Sequence, residues 1–529
     1  MDDARAPAGK ATGAGRAGGA AEGVRTSRAR AESPGTSALA VGRDQEFRAD
    51  LERVRFSSAF SRLAEVTQVV SAGTTGGIVH NRLTHTIKVT SVARAIAVRL
   101  ELAQPPAVLD ACGGLHHVVA QVGACAHDLG HPPFGHLGEQ VLDRLAREEF
   151  GIADGFEGNA QTFRILTELE VSGYGGEGLN LTAAGRASVL KYPWGRHHCP
   201  DPHPSTWETA PRGARPVPGL GALKFNAYVP DLDEMAAVRD LFPGIAPGRQ
   251  TLECAVMDLA DDIAYSLHDL EDFHRSGVLQ FSAVASEFRT WTQQRDDLSL
   301  VPDRRLASHH RSPGFGLEEL RRRLAERDDW IFDEDAFLAA VARVGEEFVE
   351  GVLGVPYDGS MAADRALSAF TSSWIDSLIG SVRLVADPPV RASYVVPSIA
   401  GWHEIQVLKF IHQYFVLHRP DLALMQRGQA SVLRQVVRAY DEWLADPSDA
   451  VRAPRRLVDL IDTATDGYME VARRHPDWLD GQTSRADMLR MGRGRGIIDF
   501  VAGLTDHQAE ATAARLRGGS GLLWGGGSV

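Results

Sequence analysis

Apolar residues recur at helical spacing through most of this chain, and no stretch sustains the alternation of a half-buried strand. The clearest run is Thr251 to Asp272, where Leu252, Ala255, Val256, Leu259, Ile263, Leu267 and Leu270 form one apolar stripe. The same spacing predicts helices over 317–327, 336–353, 363–384, 402–416, 430–445 and 455–474, with Pro and Gly between them. A shorter series starts near Thr84 and carries His85, Val89, Val92 and Ile96 on one face. Others are expected over 136–150 and 160–169. The fold class that follows is all-α: a helical bundle with additional C-terminal helices and loop insertions.

The chain has 529 residues, of which 44% are hydrophobic, enough to build a sizeable core. Residues 1–42 hold almost no large apolar side chain, so a disordered N-terminal tail is expected there. The folded domain is expected over 43–517, interrupted by a Pro-, Gly- and His-rich insertion at 195–221 and followed by a flexible tail at 518–529. A formal net charge of −13 argues against a general nucleic-acid coat or an anionic membrane surface as partner. Four widely spaced cysteines form no CxxC, which fits a reduced, cytoplasmic protein. No apolar run is long enough to cross a bilayer, and the N-terminus lacks a signal-peptide core. His197, His198, Cys199 and His203 fit no standard zinc spacing and read as a polar loop.

Against that background one stretch stands out, Cys125-Ala126-His127-Asp128-Leu129-Gly130-His131-Pro132-Pro133-Phe134-Gly135-His136-Leu137-Gly138-Glu139. Val118, Val119, Val122 and Ala126 lead up to it at helical spacing, and Gly130 with Pro132-Pro133 reads as a helix stop. The His127-Asp128 pair is therefore expected in the last turn of a buried helix. An imidazole beside a carboxylate suits a divalent ion of intermediate hardness. Arg82 lies one turn before His85, and His136 one turn before Glu139. On the 251–272 helix, Asp261, Tyr265 and Asp269 share a face. A solvated acidic face explains some of those carboxylates but not the tyrosine between them. His85, His127, Asp128 and Asp261 come from three separate helices; side by side they offer two imidazoles and two carboxylates with positions left for water and substrate oxygens.

The order His, His-Asp, Asp resembles that of the HD phosphohydrolase superfamily. The wording is closer to one branch. Asn81-Arg82-Leu83-Thr84-His85-Thr86, the His127–Glu139 block, Phe156-Glu157-Gly158-Asn159-Ala160-Gln161, Lys191-Tyr192-Pro193-Trp194, Ala260-Asp261-Asp262-Ile263-Ala264-Tyr265 and Ile498-Asp499-Phe500-Val501-Ala502-Gly503-Leu504-Thr505-Asp506 resemble bacterial deoxyguanosine triphosphate triphosphohydrolases and their dGTPase-like relatives. These blocks span roughly residues 45 to 517. The resemblance implies an HD-domain helical bundle and metal-dependent hydrolysis of a deoxynucleoside triphosphate (dNTP) to the deoxynucleoside and intact triphosphate. It implies His85, His127, Asp128 and Asp261 as ligands of a divalent metal, Mg²⁺ or Mn²⁺ or another transition metal. His136 and Glu139 match a catalytic dyad. Arg82 and His131 match phosphate-side contacts, Tyr265 a substrate contact, Asp269 a sugar-hydroxyl contact, and Gln68 a residue near the sugar 3′-hydroxyl. Implied partners are the dNTP, further copies of the chain, and a nucleotide or single-stranded DNA effector. Phe500, Leu504 and His507 depart from the Tyr, Met and Arg usual in the late block, which leaves the distal pocket, subunit contact and base preference open.

The residue chemistry is consistent with this reaction. Arg82 offers a fork for phosphate oxygens, and His136, oriented by Glu139, is either the acid that protonates the leaving oxygen or a plain phosphate ligand. Two other readings remain at this point: an HD-type phosphatase or phosphodiesterase acting on another nucleotide, and a nucleotide-sensing regulatory protein.

Overall fold

The computed structural model describes residues 23–30, 44–68, 81–171, 178–199, 209–214, 220–309 and 311–519, and the backbone alone at 216–217. Most of the 1–42 tail, the Ser71–His80 block, the 173–177 glycine turn, His203 and most of the 518–529 tail lie outside the described residues.

The architecture is all-α. Among the described residues the named strands are two short antiparallel pairs, Pro216–Val217 with Gly221–Ala222 and Arg383–Leu384 with Val395–Val396. Three helices make the centre and pack on one another: Arg82–Ala103, His117–Ala126 and Leu252–Arg275. Asn81 starts the first by accepting the Thr84 N–H at 2.9 Å, a side-chain cap that satisfies one of the otherwise unpaired donors. Its Val89, Val92, Ala93, Ile96, Ala97 and Leu100 are buried. The second helix is apolar on every side because it is enclosed: Val118, Val119, Ala120 and Val122 are all buried. Thr251 caps the third, which ends in His274 and Arg275, where cations complement the helix dipole.

The C-terminal helices Arg455–Arg474 and Arg485–Ala502 lie along each other. A Cβ at Gly492 would stand 2.1 Å from Thr465 Oγ1, and one at Gly496 2.5 Å from Ile461 Cγ1, so the two backbones meet where only glycine fits. A buried ionic network joins this pair to the rest of the molecule. Arg164 donates to Asp499 at 2.9 Å and to Asp231 at 2.8 Å, and Arg495 donates to Asp154 at 2.9 Å.

Several stretches differ from expectation, among them Gly23–Arg30 and 160–169. Gly23–Arg30, within the expected loose tail, is packed on the body: Arg25 pairs with Glu253, and Arg28 with Asp50 at 2.7 Å and the Asn180 carbonyl at 2.6 Å. Arg25 and Arg28 meet buried carboxylates rather than solvent. The single helix expected over 160–169 is a helix Gly158–Arg164 followed by a wide turn Ile165–Leu169.

Candidate active site

The helix ends at Ala126, so the His-Asp pair falls just past its last turn rather than within it; His127 terminates the helix and Asp128 lies in the turn that follows. His127 Nδ1 lies 2.7 Å from the Ala124 carbonyl oxygen. A carbonyl only accepts, so Nδ1 carries the proton and Nε2 keeps its lone pair. That buried Nε2 has no hydrogen-bond partner among the described residues. It stands 3.5 Å from Asp128 Oδ1 and 3.7 Å from Asp261 Oδ1. His85 Nε2 approaches the same Asp261 oxygen at 3.2 Å. Donor atoms of His85, His127 and Asp261 all lie within 4.8 Å of one another.

Asp128 faces two ways. Oδ2 accepts from Arg82 Nη1 at 3.0 Å, while Oδ1 lies 3.0 Å from His131 Nδ1. Burial works against ionisation of Asp128, but Arg82, His127 and His131 outweigh it and hold its carboxyl well below the usual range. The Asp261 side chain keeps 22% of its surface exposed; its partial burial opposes the charge, yet Lys191, the His85 hydrogen bond and His127 hold the carboxyl well below the usual range. Two ionised carboxylates beside a buried imidazole lone pair left unused are the donor set of a divalent ion, and the residues present fit one.

A second group adjoins the first. His131 Nε2 lies 3.2 Å from Glu139 Oε1, and His136 Nδ1 lies 3.3 Å from Glu139 Oε2. Burial opposes the charge on Glu139, yet Lys224, His136 and His131 keep its carboxyl well below the usual range. Burial, reinforced by Arg82, lowers the His131 ring to about 4. His131 lies between Asp128 and Glu139, one ring nitrogen toward each, whereas the His136 side chain is 64% exposed. The loop that places them is tight: Phe134 and Gly135 have φ of 65° and 58°, and a Cβ on Gly135 would come 2.8 Å from Arg82 Nη2.

Arg82 is buried and extended into this space. Its Nε donates to the Thr67 carbonyl at 3.1 Å, and Nη2 has no partner among the described residues. Gln68 Oε1 is also without one. Tyr265 and Asp269 open a separate wall of the site with His412. The Tyr265 and His412 rings meet edge-on at 4.9 Å, Phe273 stacks on His412 at 5.3 Å, and Asp269 Oδ2 lies 3.6 Å from His412 Nδ1. Burial, then Asp272 and Asp261, pushes the Asp269 carboxyl well above its usual range. Burial, then His136 and Lys409, lowers His412 to about 3.

The HD-domain family model matches residues 82–171, which hold Arg82, His85, the His-Asp pair and the His136/Glu139 dyad. The chain is 30% identical to the deoxyguanosinetriphosphate triphosphohydrolase-like protein of Streptomyces coelicolor, over 89% of this chain and 92% of that protein. It is 31% identical to the protein of the same name from Bifidobacterium longum, over 88% of this chain and 81% of the relative. The chain belongs to the deoxyguanosinetriphosphate triphosphohydrolase-like family of HD-domain hydrolases.

This dGTPase-like family member brings its sequence-marked residues into two touching groups, with His85, His127, Asp128 and Asp261 in one and His131, His136 and Glu139 in the other. Three neighbours carried no signal of their own. Lys191 bonds Asp258 at 2.7 Å and reaches Asp261 at 3.4 Å; it opens a family-like block, which was the available hint. Lys224 bonds Glu157 at 2.7 Å and stands 3.6 Å from Glu139. His412 sits on the apolar helix Ile399–Phe415, where a lone histidine reads as core. From the insertion, Arg212 reaches Asp262 at 3.2 Å. The metal-capable groups found among the described residues do not include His197, His198 or Cys199. No helix among the described residues is long and apolar enough to cross a membrane.

Proposed function

We propose that this hydrolase cleaves deoxynucleoside triphosphates at the α-phosphorus, releasing the deoxynucleoside and intact triphosphate, with His85, His127, Asp128 and Asp261 holding a divalent ion. The observation that carries the reading is the unpartnered Arg82 Nη2 beside the donor set, joined to the His136/Glu139 pair through the close approaches of His131 to Asp128 and Glu139. Monophosphate or diester chemistry gives no reason for that many phosphate-directed groups in line.

In the reaction a water oxygen joins the α-phosphorus, the bond from phosphorus to the 5′-oxygen breaks, and the nucleoside leaves with a proton on that oxygen. A bound divalent ion supplies charge neutralisation at phosphorus and acidifies water. Arg82 places its Nη2 on a phosphate oxygen. Glu139 accepts the His136 Nδ1–H and stabilises the doubly protonated ring, whose Nε2–H is delivered to the 5′-oxygen. His131, between Asp128 and Glu139, keeps them in register. Gln68, Tyr265 and Asp269 receive the sugar, Asp269 as a protonated carboxyl able to donate to a hydroxyl.

The proposal includes a folded domain over 43–517, a cytoplasmic location, self-association, and a nucleotide or single-stranded DNA effector. Light scattering checks self-association, and a single species at the chain mass of 57.3 kDa would contradict it. The activity is tested by anion-exchange chromatography of reactions with each dNTP and Mg²⁺, then Mn²⁺. Deoxynucleoside and triphosphate in equal amounts support the reading. Diphosphate or orthophosphate as first product would move the chain to another phosphoester class.

A further inference from the structure

The Asp506–Leu516 helix begins far along the chain from the site, and its cap is a reciprocal pair between Thr505 and Gln508. That leaves the Asp506 carboxylate for other partners. Oδ2 accepts the Thr67 N–H at 3.0 Å and the Thr67 hydroxyl as well; Oδ1 accepts the Phe134 N–H at 2.8 Å. Both amides matter to the site. Thr67 precedes Gln68, and its carbonyl receives Arg82 Nε. Phe134 leads into Gly135, from which the His136–Glu148 helix starts, and its φ of 65° is unfavourable for a side chain of that size. A strained loop keeps its shape only where neighbours over-determine it, and charge-assisted hydrogen bonds are the strong kind. Arg62 runs parallel to Asp506: it donates to the Leu504 carbonyl at 3.0 Å, to Leu129 at 2.8 Å and to His131 at 2.7 Å.

We propose that Asp506 is a positioning residue: one carboxylate from the C-terminal block holds the Thr67 segment, and through it Arg82 and Gln68, at a set distance from His136. It touches no substrate. The inference rests on the proposed reading of Arg82 and His136. It makes the late block Leu504–Asp506 part of the reaction machinery rather than a distant support.

The test compares Asp506→Asn and Asp506→Glu with wild type and with Glu510→Ala, an exposed residue of the same helix that holds neither segment. An asparagine keeps one acceptor and replaces the other with an NH₂ that cannot accept from an N–H. A misplacement of about 1 Å at a reacting group lowers rate on the order of 10²-fold. Asp506→Asn is therefore expected to lower kcat for dNTP hydrolysis by about 10- to 100-fold with metal content unchanged. Asp506→Glu, which keeps both acceptors, recovers part of the loss, and Glu510→Ala stays at wild-type rate. Hydrogen–deuterium exchange is expected to rise in Asp506→Asn over both 64–68 and 131–137, and nowhere else comparably. Wild-type exchange in those two segments, or a general rise across the chain, would overturn the inference, as would a wild-type kcat. If the wild-type protein turns over no dNTP, the reading of function fails, and exchange at the two segments still decides whether Asp506 holds them.

Discussion

His127 donates its Nδ1–H to the carbonyl oxygen of Ala124, 2.7 Å away within its own last turn. That bond sets the tautomer and leaves the buried Nε2 lone pair directed at Asp128 and Asp261. The first prediction follows from it. Mn²⁺ should raise the unfolding temperature of the chelator-stripped protein, because a ligand of the folded state at 100 times its Kd adds about 2.7 kcal/mol. His127→Ala should abolish that shift in differential scanning calorimetry. A wild-type shift in the variant would contradict the ligand assignment.

His136 and Glu139 act after metal binding. His136→Ala should bind Mn²⁺ as wild type does and lose about 10²–10⁴ in kcat, the usual contribution of a positioned acid. Glu139→Gln should lose less, since the amide oxygen can still accept the His136 Nδ1–H. Metal titration alongside initial rates checks both; unchanged rate in His136→Ala would reduce that residue to a bystander.

Arg164 predicts stability rather than rate. It neutralises Asp231 and Asp499 in a site that excludes water. Arg164→Leu leaves two buried carboxylates without their cation, and breaking such a pair costs about 3–5 kcal/mol. Denaturant unfolding should show that loss; a change below about 1 kcal/mol would mean that water already screens the network.

Much of the fold was legible because burial imposes helical periodicity. The expected 251–272 helix is Leu252–Arg275, and Arg455–Arg474 has the expected ends. The helix Arg485–Ala502 was not anticipated. It contains Gly492, Gly494 and Gly496, each unfavourable in a helix by about 1 kcal/mol. Close packing on Thr465, Phe150 and Ile461 overrides that propensity. The grouping of His85, His127, Asp128 and Asp261 was readable from the His-Asp wording, because residue types and family order are local text. His412 and Asp506 were not, since their roles depend on partners brought close by the fold: Asp506 bonds a residue 439 positions away.

Asp269 and His412 give a pH prediction. His412 titrates near 3 in the fold and near 6.5 when unfolded, so the neutral ring contributes stability above about 6.5 that is lost as pH falls toward 3. Asp269 acts oppositely: its carboxyl, raised well above the usual range, keeps in the fold a proton that the unfolded chain releases above about 3.9. Between these limits the two slopes offset. Asp269→Asn removes one of them, so the variant's stability should fall more steeply than wild type's as pH drops below about 6.5. Urea denaturation at several pH values checks this; parallel slopes would mean that Asp269 titrates alike in the folded and unfolded chain.

The central claim is attack of water at the α-phosphorus with triphosphate leaving whole. Its most direct test is turnover of a dNTP in ¹⁸O-labelled water, read by phosphorus NMR. The account predicts intact triphosphate with one ¹⁸O on a terminal phosphorus and an unlabelled deoxynucleoside. Label in orthophosphate or pyrophosphate, or in the nucleoside 5′-hydroxyl, would contradict it.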